Sequence, residues 1–190
     1  MKKERFPALK KGKTTAEKKT PGLLMPDHVF SRITAIPSAY LKENGITALV
    51  LDIDNTLTIH DNPQLPADVA AWLEARKAEG FQFAVASNNH EPRVAPFAQK
   101  IGVKWVSDAG KPLPRGFARA QAQFGVPKEQ MALIGDQLFT DVLGARLFGI
   151  KALLVEPMAP DHKWFIRLKR VLEKPFVTLY YKRGGQRSGE

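Results

Sequence analysis

Residues 48–58 read ALVLDIDNTLT, four apolar residues running straight into Asp52 and Asp54, two carboxylates one position apart. Such a pair repels itself unless a cation or a proton sits between the two groups. Three more apolar runs end in polar residues of a related kind. FQFAVA leads into Ser87-Asn88-Asn89, VKWV into a loop carrying Gly110-Lys111-Pro112, and MALI into Gly135-Asp136 with Asp141 five residues on. Carboxylates, a hydroxyl and one lysine gathered in one place suit phosphoryl transfer with a magnesium ion. Mg²⁺ takes hard oxygen ligands and keeps several waters, so two or three carboxylates suffice. A carboxylate can attack phosphorus to form an aspartyl-phosphate, while a lysine, hydroxyls and amides hold the phosphoryl oxygens.

Such residues meet only if the runs before them lie side by side. The apolar runs at 47–51, 81–86, 103–106, 131–134 and 150–155 read as buried strands. Between them lie the amphipathic patterns ADVAAWLEARKAEG, EPRVAPFAQKIG, PRGFARAQAQFG and FTDVLGARLFG. Three are led in by proline and all four close on glycine, the chemistry of helix starts and stops. This alternation predicts a doubly wound α/β domain with a parallel five-stranded sheet. In such sheets ligands bind at the carboxyl ends of the strands, where the polar residues fall. Upstream, VFSRI and SAYLKENG are expected to form short helical pieces before Gly45.

The order DIDNT, apolar run–SNN, GKP and LIGDQLFTD resembles the four motifs of the haloacid dehalogenase superfamily of phosphatases. It is similar specifically to the YqeG family of the capless type III group, relatives of which dephosphorylate phosphatidylglycerophosphate. The resemblance covers roughly residues 21–160 and implies a Rossmann-like core. It makes Asp52 the nucleophile and Asp54 the acid that protonates the leaving oxygen, then the base that activates water. It assigns Thr56, Ser87 and Asn88 to the phosphoryl oxygens or the loop around them, and Lys111 to charge neutralisation. Asp136 would complete the magnesium site with Asp52 and the Asp54 main-chain carbonyl. Asp141 would orient a water of the magnesium shell, or Lys111. Taken singly, Asp141 also suits a helix N-terminus, and Ser87 a turn cap. The lipid-specific relatives carry a lysine between the two aspartates and a cysteine after the Asn, where this chain has Ile53 and Thr56.

Only 32 residues separate Asp54 from Ser87, and 23 separate Ser87 from Lys111. One helix fills each interval, so no cap domain fits. An open site suits a bulky or surface-bound phosphomonoester, unless a partner closes it.

The formal net charge of +10 sits at the two ends. Residues 1–20 hold eight Lys/Arg and two Glu, and residues 161–190 hold eight Lys/Arg and three acids, so the middle is close to neutral. Residues 1–20 are expected to be a disordered basic tail, 21–160 the phosphatase domain, and 161–190 a basic extension. In that extension helical spacing places Trp164, Phe165, Leu168, Val171 and Leu172 along one side. Lys163, Arg167, Arg170 and Lys174 fall mostly opposite, and Pro175 is expected to end the helix. Such a helix suits the surface of an acidic membrane or packs against the body or a partner. Basic ends also leave nucleic acid open as a partner, through a phosphatase of nucleic-acid ends or a non-catalytic binding protein.

The chain has no cysteine, which excludes disulfides, thiolate metal sites and a cysteine nucleophile. No apolar run approaches the roughly 20 residues needed to span a bilayer, and residues 1–20 lack the apolar stretch of a secretory signal. The expectation is a cytoplasmic protein without a transmembrane segment, peripheral at most on the inner membrane face.

Overall fold

The structure is a computed structural model that describes residues 22–60, 62–161 and 164–189. The expected basic tail, residues 1–20, lies outside them. The elements follow in chain order: β1 (His28–Phe30), α1 (Ser38–Glu43), β2 (Ala48–Leu51), α2 (Ala67–Ala78), β3 (Gln82–Ala86), α3 (Glu91–Lys100) and β4 (Lys104–Val106). Then come α4 (Arg115–Phe124), β5 (Met131–Gly135), α5 (Leu143–Phe148), β6 (Lys151–Val155), α6 (Trp164–Lys182) and β7 (Arg187–Ser188). The strands form one parallel sheet in the order β4-β3-β2-β5-β6-β1-β7.

The doubly wound fold is as expected, and the five inferred strands lie within a residue of their observed limits. The sheet, however, has seven strands. VFSRI does not open a helix: its first residues belong to β1, which pairs with β6, and Ile33–Ala35 is a single 3₁₀ turn. β7 lies in the polar GGQRSGE stretch, and Ser31 N–H donates to the Ser188 carbonyl at 3.0 Å. The Tyr180 hydroxyl pins this strand by bonding the main chain of Gln186. Runs of two or three residues carry no readable periodicity, so only pairing partners distant in sequence define them.

Alternation along β2 explains why both faces of the sheet are covered. Leu49 and Leu51 point to a core shared with Trp72 and Leu73 of α2 and with Val94 and Phe97 of α3. Ala48 and Val50 face the other layer, against Phe117 of α4 and Phe148 of α5. Each fully buried large side chain contributes roughly 1.5–3 kcal/mol. The central strands β2 and β5 therefore hold the ends of their chains, and the acids that follow, in fixed places.

A second correction concerns α6, which runs through Pro175 to Lys182. Proline removes the bond to the carbonyl four residues earlier, that of Val171, on the exposed side of the helix. Beyond the proline, Phe176 and Val177 pack on the core and Tyr180 is buried, which offsets the lost bond.

Candidate active site

Asp52 directly follows β2, and its N–H donates to the Ile134 carbonyl of β5 at 3.0 Å. The chain then turns tightly: the N–H groups of Thr56, Leu57 and Thr58 all approach the Ile53 carbonyl. Asn55 takes a left-handed conformation there, φ 59°, which asparagine tolerates better than most residues. Lys111 arrives from the loop after β4. Both ends of the Asn88 amide grip its main chain, accepting from Lys111 N–H at 2.7 Å and donating to its carbonyl at 2.9 Å. Asp141 arrives on a single π-helical turn, Leu138–Val142, between β5 and α5. Its approach requires Gly135, since a Cβ there would lie 2.5 Å from the Asp141 carboxyl carbon.

These placements converge on the Lys111 ammonium, which donates to Asp52 Oδ1 at 2.5 Å and to Asp141 Oδ1 at 2.7 Å. The Lys111 side chain is only 3% exposed and that of Asp141 1%. Carboxylate oxygens of Asp52, Asp136 and Asp141 lie within 4.8 Å of one another. Burial pushes the Asp52 carboxyl up to about 7, although Lys111 pulls it down. Burial likewise raises Asp136 well above the carboxylate range, against the pull of Arg170. Burial opposes the charge on Lys111, yet Asp141 and Asp52 together hold its ammonium above the ordinary lysine value.

The three acids are thus short of positive charge. Asp136 Oδ1 is buried and has no hydrogen-bond partner among the described residues. A hard divalent cation would supply both the missing charge and the missing partner, so the donor set fits one. Asp52 and Asp136 are the acids placed to hold it, with Asp141 beside them, its two oxygens accepting from Lys111 and from the Gln137 N–H. The Asp54 side chain lies outside that cluster. It accepts from Asn89 Nδ2 at 2.8 Å and from Arg93 at 2.5 Å, with His60 Nδ1 at 3.5 Å.

Asp52, Asp54, Ser87, Asn88, Lys111 and Asp141 all line one cavity of about 210 Å³ at the carboxyl edge of the sheet. Ser87 Oγ accepts from the Asn89 N–H at 3.1 Å, which leaves its hydroxyl proton free to donate. Asn88 lines the cavity, but its amide is spent on Lys111. Thr56 is buried, and its hydroxyl is not part of the cavity wall.

Sequence reasoning passed over several partners. Asn89 and His60 lie in loops and Arg93 on α3, with no local sign of a role, yet all three surround Asp54. Arg170 read as part of the solvated face of α6. It is instead turned inward, where its guanidinium bonds the carboxylate and carbonyl of Asp136 and also Asp161 at 3.0 Å. Nothing local signals this; Arg170 and Glu173 look like any i,i+3 helix pair.

The fold and this cluster of acids define a hydrolase: residues 39–149, more than half the chain, match the haloacid dehalogenase-like hydrolase family, and the chain belongs to it. Within that family it sides with the probable phosphatase YqeG of Bacillus subtilis, to which it is 33% identical over 84% of this chain and 93% of the relative. It is also 26% identical to the chloroplastic phosphatidylglycerophosphate phosphatase 1 of Chlamydomonas reinhardtii, over 82% of this chain but 62% of that protein. A haloacid dehalogenase-like hydrolase from Brucella suis shares the fold, with a TM-score of 0.52 and 14% identity over 63% of this chain and 89% of that one.

Proposed function

We propose that the protein is a magnesium-dependent phosphomonoester hydrolase that works through an aspartyl-phosphate on Asp52. Its substrate class in this reading is a phospholipid head group such as that of phosphatidylglycerophosphate. The observation that carries the reading is the buried Asp52–Lys111–Asp141 bridge beside Asp136, at the strand ends of a haloacid dehalogenase-like hydrolase. Magnesium held by Asp52, Asp136 and the Asp54 main-chain carbonyl would supply the charge that lets an anionic nucleophile meet an anionic phosphoryl group.

The chain's own groups do the rest. The Asp52 carboxylate attacks phosphorus and the bond to the leaving oxygen breaks, while Asp54 gives that oxygen a proton. Asp54 then takes a proton from water, which attacks phosphorus and releases inorganic phosphate with Asp52 restored. Lys111 neutralises Asp52 and the phosphoryl oxygens, Asn88 holds the Lys111 loop, and the Ser87 hydroxyl donates to the phosphoryl group.

Helix α6 supports the lipid reading. Trp164, Leu168, Val171 and Leu172 are all more than half exposed, with Phe165 beside them. On the cavity side of the same helix, Phe165, Ile166 and Lys169 line the active site. An apolar stripe flanked by Arg167, Lys169 and Lys174 matches what a helix needs to lie on an acidic bilayer. No helix among the described residues is long and apolar enough to cross a membrane, so contact in this reading is peripheral, at the inner face. The test is phosphate release from para-nitrophenyl phosphate with magnesium or with EDTA. Release should require magnesium and vanish in Asp52→Asn. Full activity in that variant would refute the mechanism, and failure to float with acidic liposomes at moderate salt would refute the membrane contact.

A further inference from the structure

Helix α6 belongs to the basic extension, yet its inner face closes on the acids of the site. Arg170 spreads its guanidinium over a single residue there: Nη1 donates to the Asp136 main-chain carbonyl and Nη2 to Asp136 Oδ2. Its Nε donates instead to Asp161 Oδ2 at 3.0 Å. Asp161 Oδ1 in turn accepts from Asn55 Nδ2, in the turn after Asp54, at 2.9 Å. One turn further along α6, Glu173 accepts from the Phe139 N–H at 3.2 Å, in the π-helical turn that carries Asp141. The helix thus grips three segments that converge on the site: Asp136 at the end of β5, the turn after Asp54, and the Asp141 turn.

We propose that Arg170 is a positioning residue for the divalent cation. By holding Asp136 at its carbonyl and at Oδ2 it presents Oδ1 to the ion, which makes the C-terminal extension a working part of the metal site. The inference rests on the reading that these acids hold magnesium. The Asp136 side chain is fully buried, and Oδ1 is the oxygen left without a hydrogen-bond partner among the described residues. An aspartate carboxyl turns easily about its last bond, whose torsion is broad and roughly two-fold. Fixing Oδ2 removes that freedom and selects Oδ1 as the ligand atom. A planar guanidinium spans two acceptors at a set spacing, which a lysine ammonium, a single point of charge, does not. Hydrogen-bond partners of ligating carboxylates orient them, and losing one typically costs about 10–100-fold in metal affinity. The rival reading makes Arg170 a plug whose charge competes with the cation for Asp136. Two features oppose it. Nη2 takes Oδ2 and leaves Oδ1, and the guanidinium also meets Asp161 and Glu173 oxygens at 3.0 and 3.4 Å, so its charge is shared out on the side away from the ion.

The experiment titrates the full chain with Mn²⁺, a hard cation of the same charge, and reads the free ion by electron paramagnetic resonance, so no turnover is involved. Thermal unfolding in EDTA confirms that each variant is folded. Arg170→Lys keeps the charge and loses the fork, and its Mn²⁺ affinity should fall by about 10–100-fold. Arg170→Gln, the second variant, loses fork and charge together and should fall by a similar factor. Val177→Ala is the control for docking alone: it trims a contact of α6 with the core without touching Arg170 or Asp136. Its affinity should stay within about twofold of the native value, the range of substitutions remote from a site. Native affinity in both Arg170 variants would overturn the inference, and tighter binding in Arg170→Gln would make Arg170 the plug. An equal loss in Val177→Ala would overturn it too, since docking of α6 and not the grip on Asp136 would then set the affinity. No Mn²⁺ or Mg²⁺ binding by the native protein would instead sink the metal reading on which the inference rests.

Discussion

Replacing Lys111 with methionine keeps the length of the side chain and removes its charge. The ammonium bridges Asp52 and Asp141 where the three side chains are 3%, 12% and 1% exposed. Without it two buried carboxylates lose their counter-charge, and breaking a buried pair by removing one partner typically costs about 3–5 kcal/mol. For a chain of this length each kcal/mol shifts Tm by about 2–4 °C, so a fall of about 6–20 °C follows. The loss must depend on pH. Burial raises Asp52 to about 7 even with Lys111 pulling it down, so the variant's carboxyl rises further. A carboxyl raised in the folded state contributes stability below its unfolded value and loses it as pH rises through the folded value. Urea unfolding in EDTA should therefore show a smaller difference between variant and native protein near about pH 5 than near about pH 8. A difference equal at both, or below about 1 kcal/mol at the higher pH, would show that the bridge does not carry the charge balance assigned to it.

Other substitutions probe the remaining parts of the site. Asp54→Asn should lower kcat by about 10²–10⁴-fold on alkyl phosphates, and by less on para-nitrophenyl phosphate, whose leaving group needs no proton; equal losses would remove Asp54 from the acid role. Arg170→Ala should weaken the hold of α6 on the site, seen as faster hydrogen exchange in residues 164–174; unchanged exchange would mean the ion pairs with Asp136 and Asp161 do not anchor the helix. Stabilisation by saturating magnesium should grow between about pH 5 and pH 8, because the Asp52 carboxyl, raised by burial to about 7, must lose its proton to serve as a ligand. A stabilisation independent of pH in differential scanning fluorimetry would contradict that ligand set.

Much of this protein is legible in its sequence. The βα rhythm and the polar residues after each apolar run placed Asp52, Ser87, Lys111, Asp136 and Asp141 at one sheet edge. That inference works because strands buried on both faces must be apolar throughout, so a polar break marks where the strand leaves the core. It failed where the decisive contact is remote in sequence and the local pattern is ordinary. β1 and β7 are too short to have a period, and exist because β6 and then β1 offer partners. Arg170 sits on a helix whose spacing made it a surface cation; only the docking of α6, held by Phe176, Val177 and Tyr180, turns it onto Asp136. The same docking leaves Trp164, Leu168, Val171 and Leu172 facing outward. Asn88 was legible as a residue of the site, but its amide is spent on the Lys111 main chain, a detail fixed by a loop closing across 23 positions. Residue type and spacing determine which groups can do chemistry and at which end of the sheet they lie. Which of them touch, which are neutralised and which are left to meet a substrate depends on packing between distant segments, whose energies no local window of sequence contains.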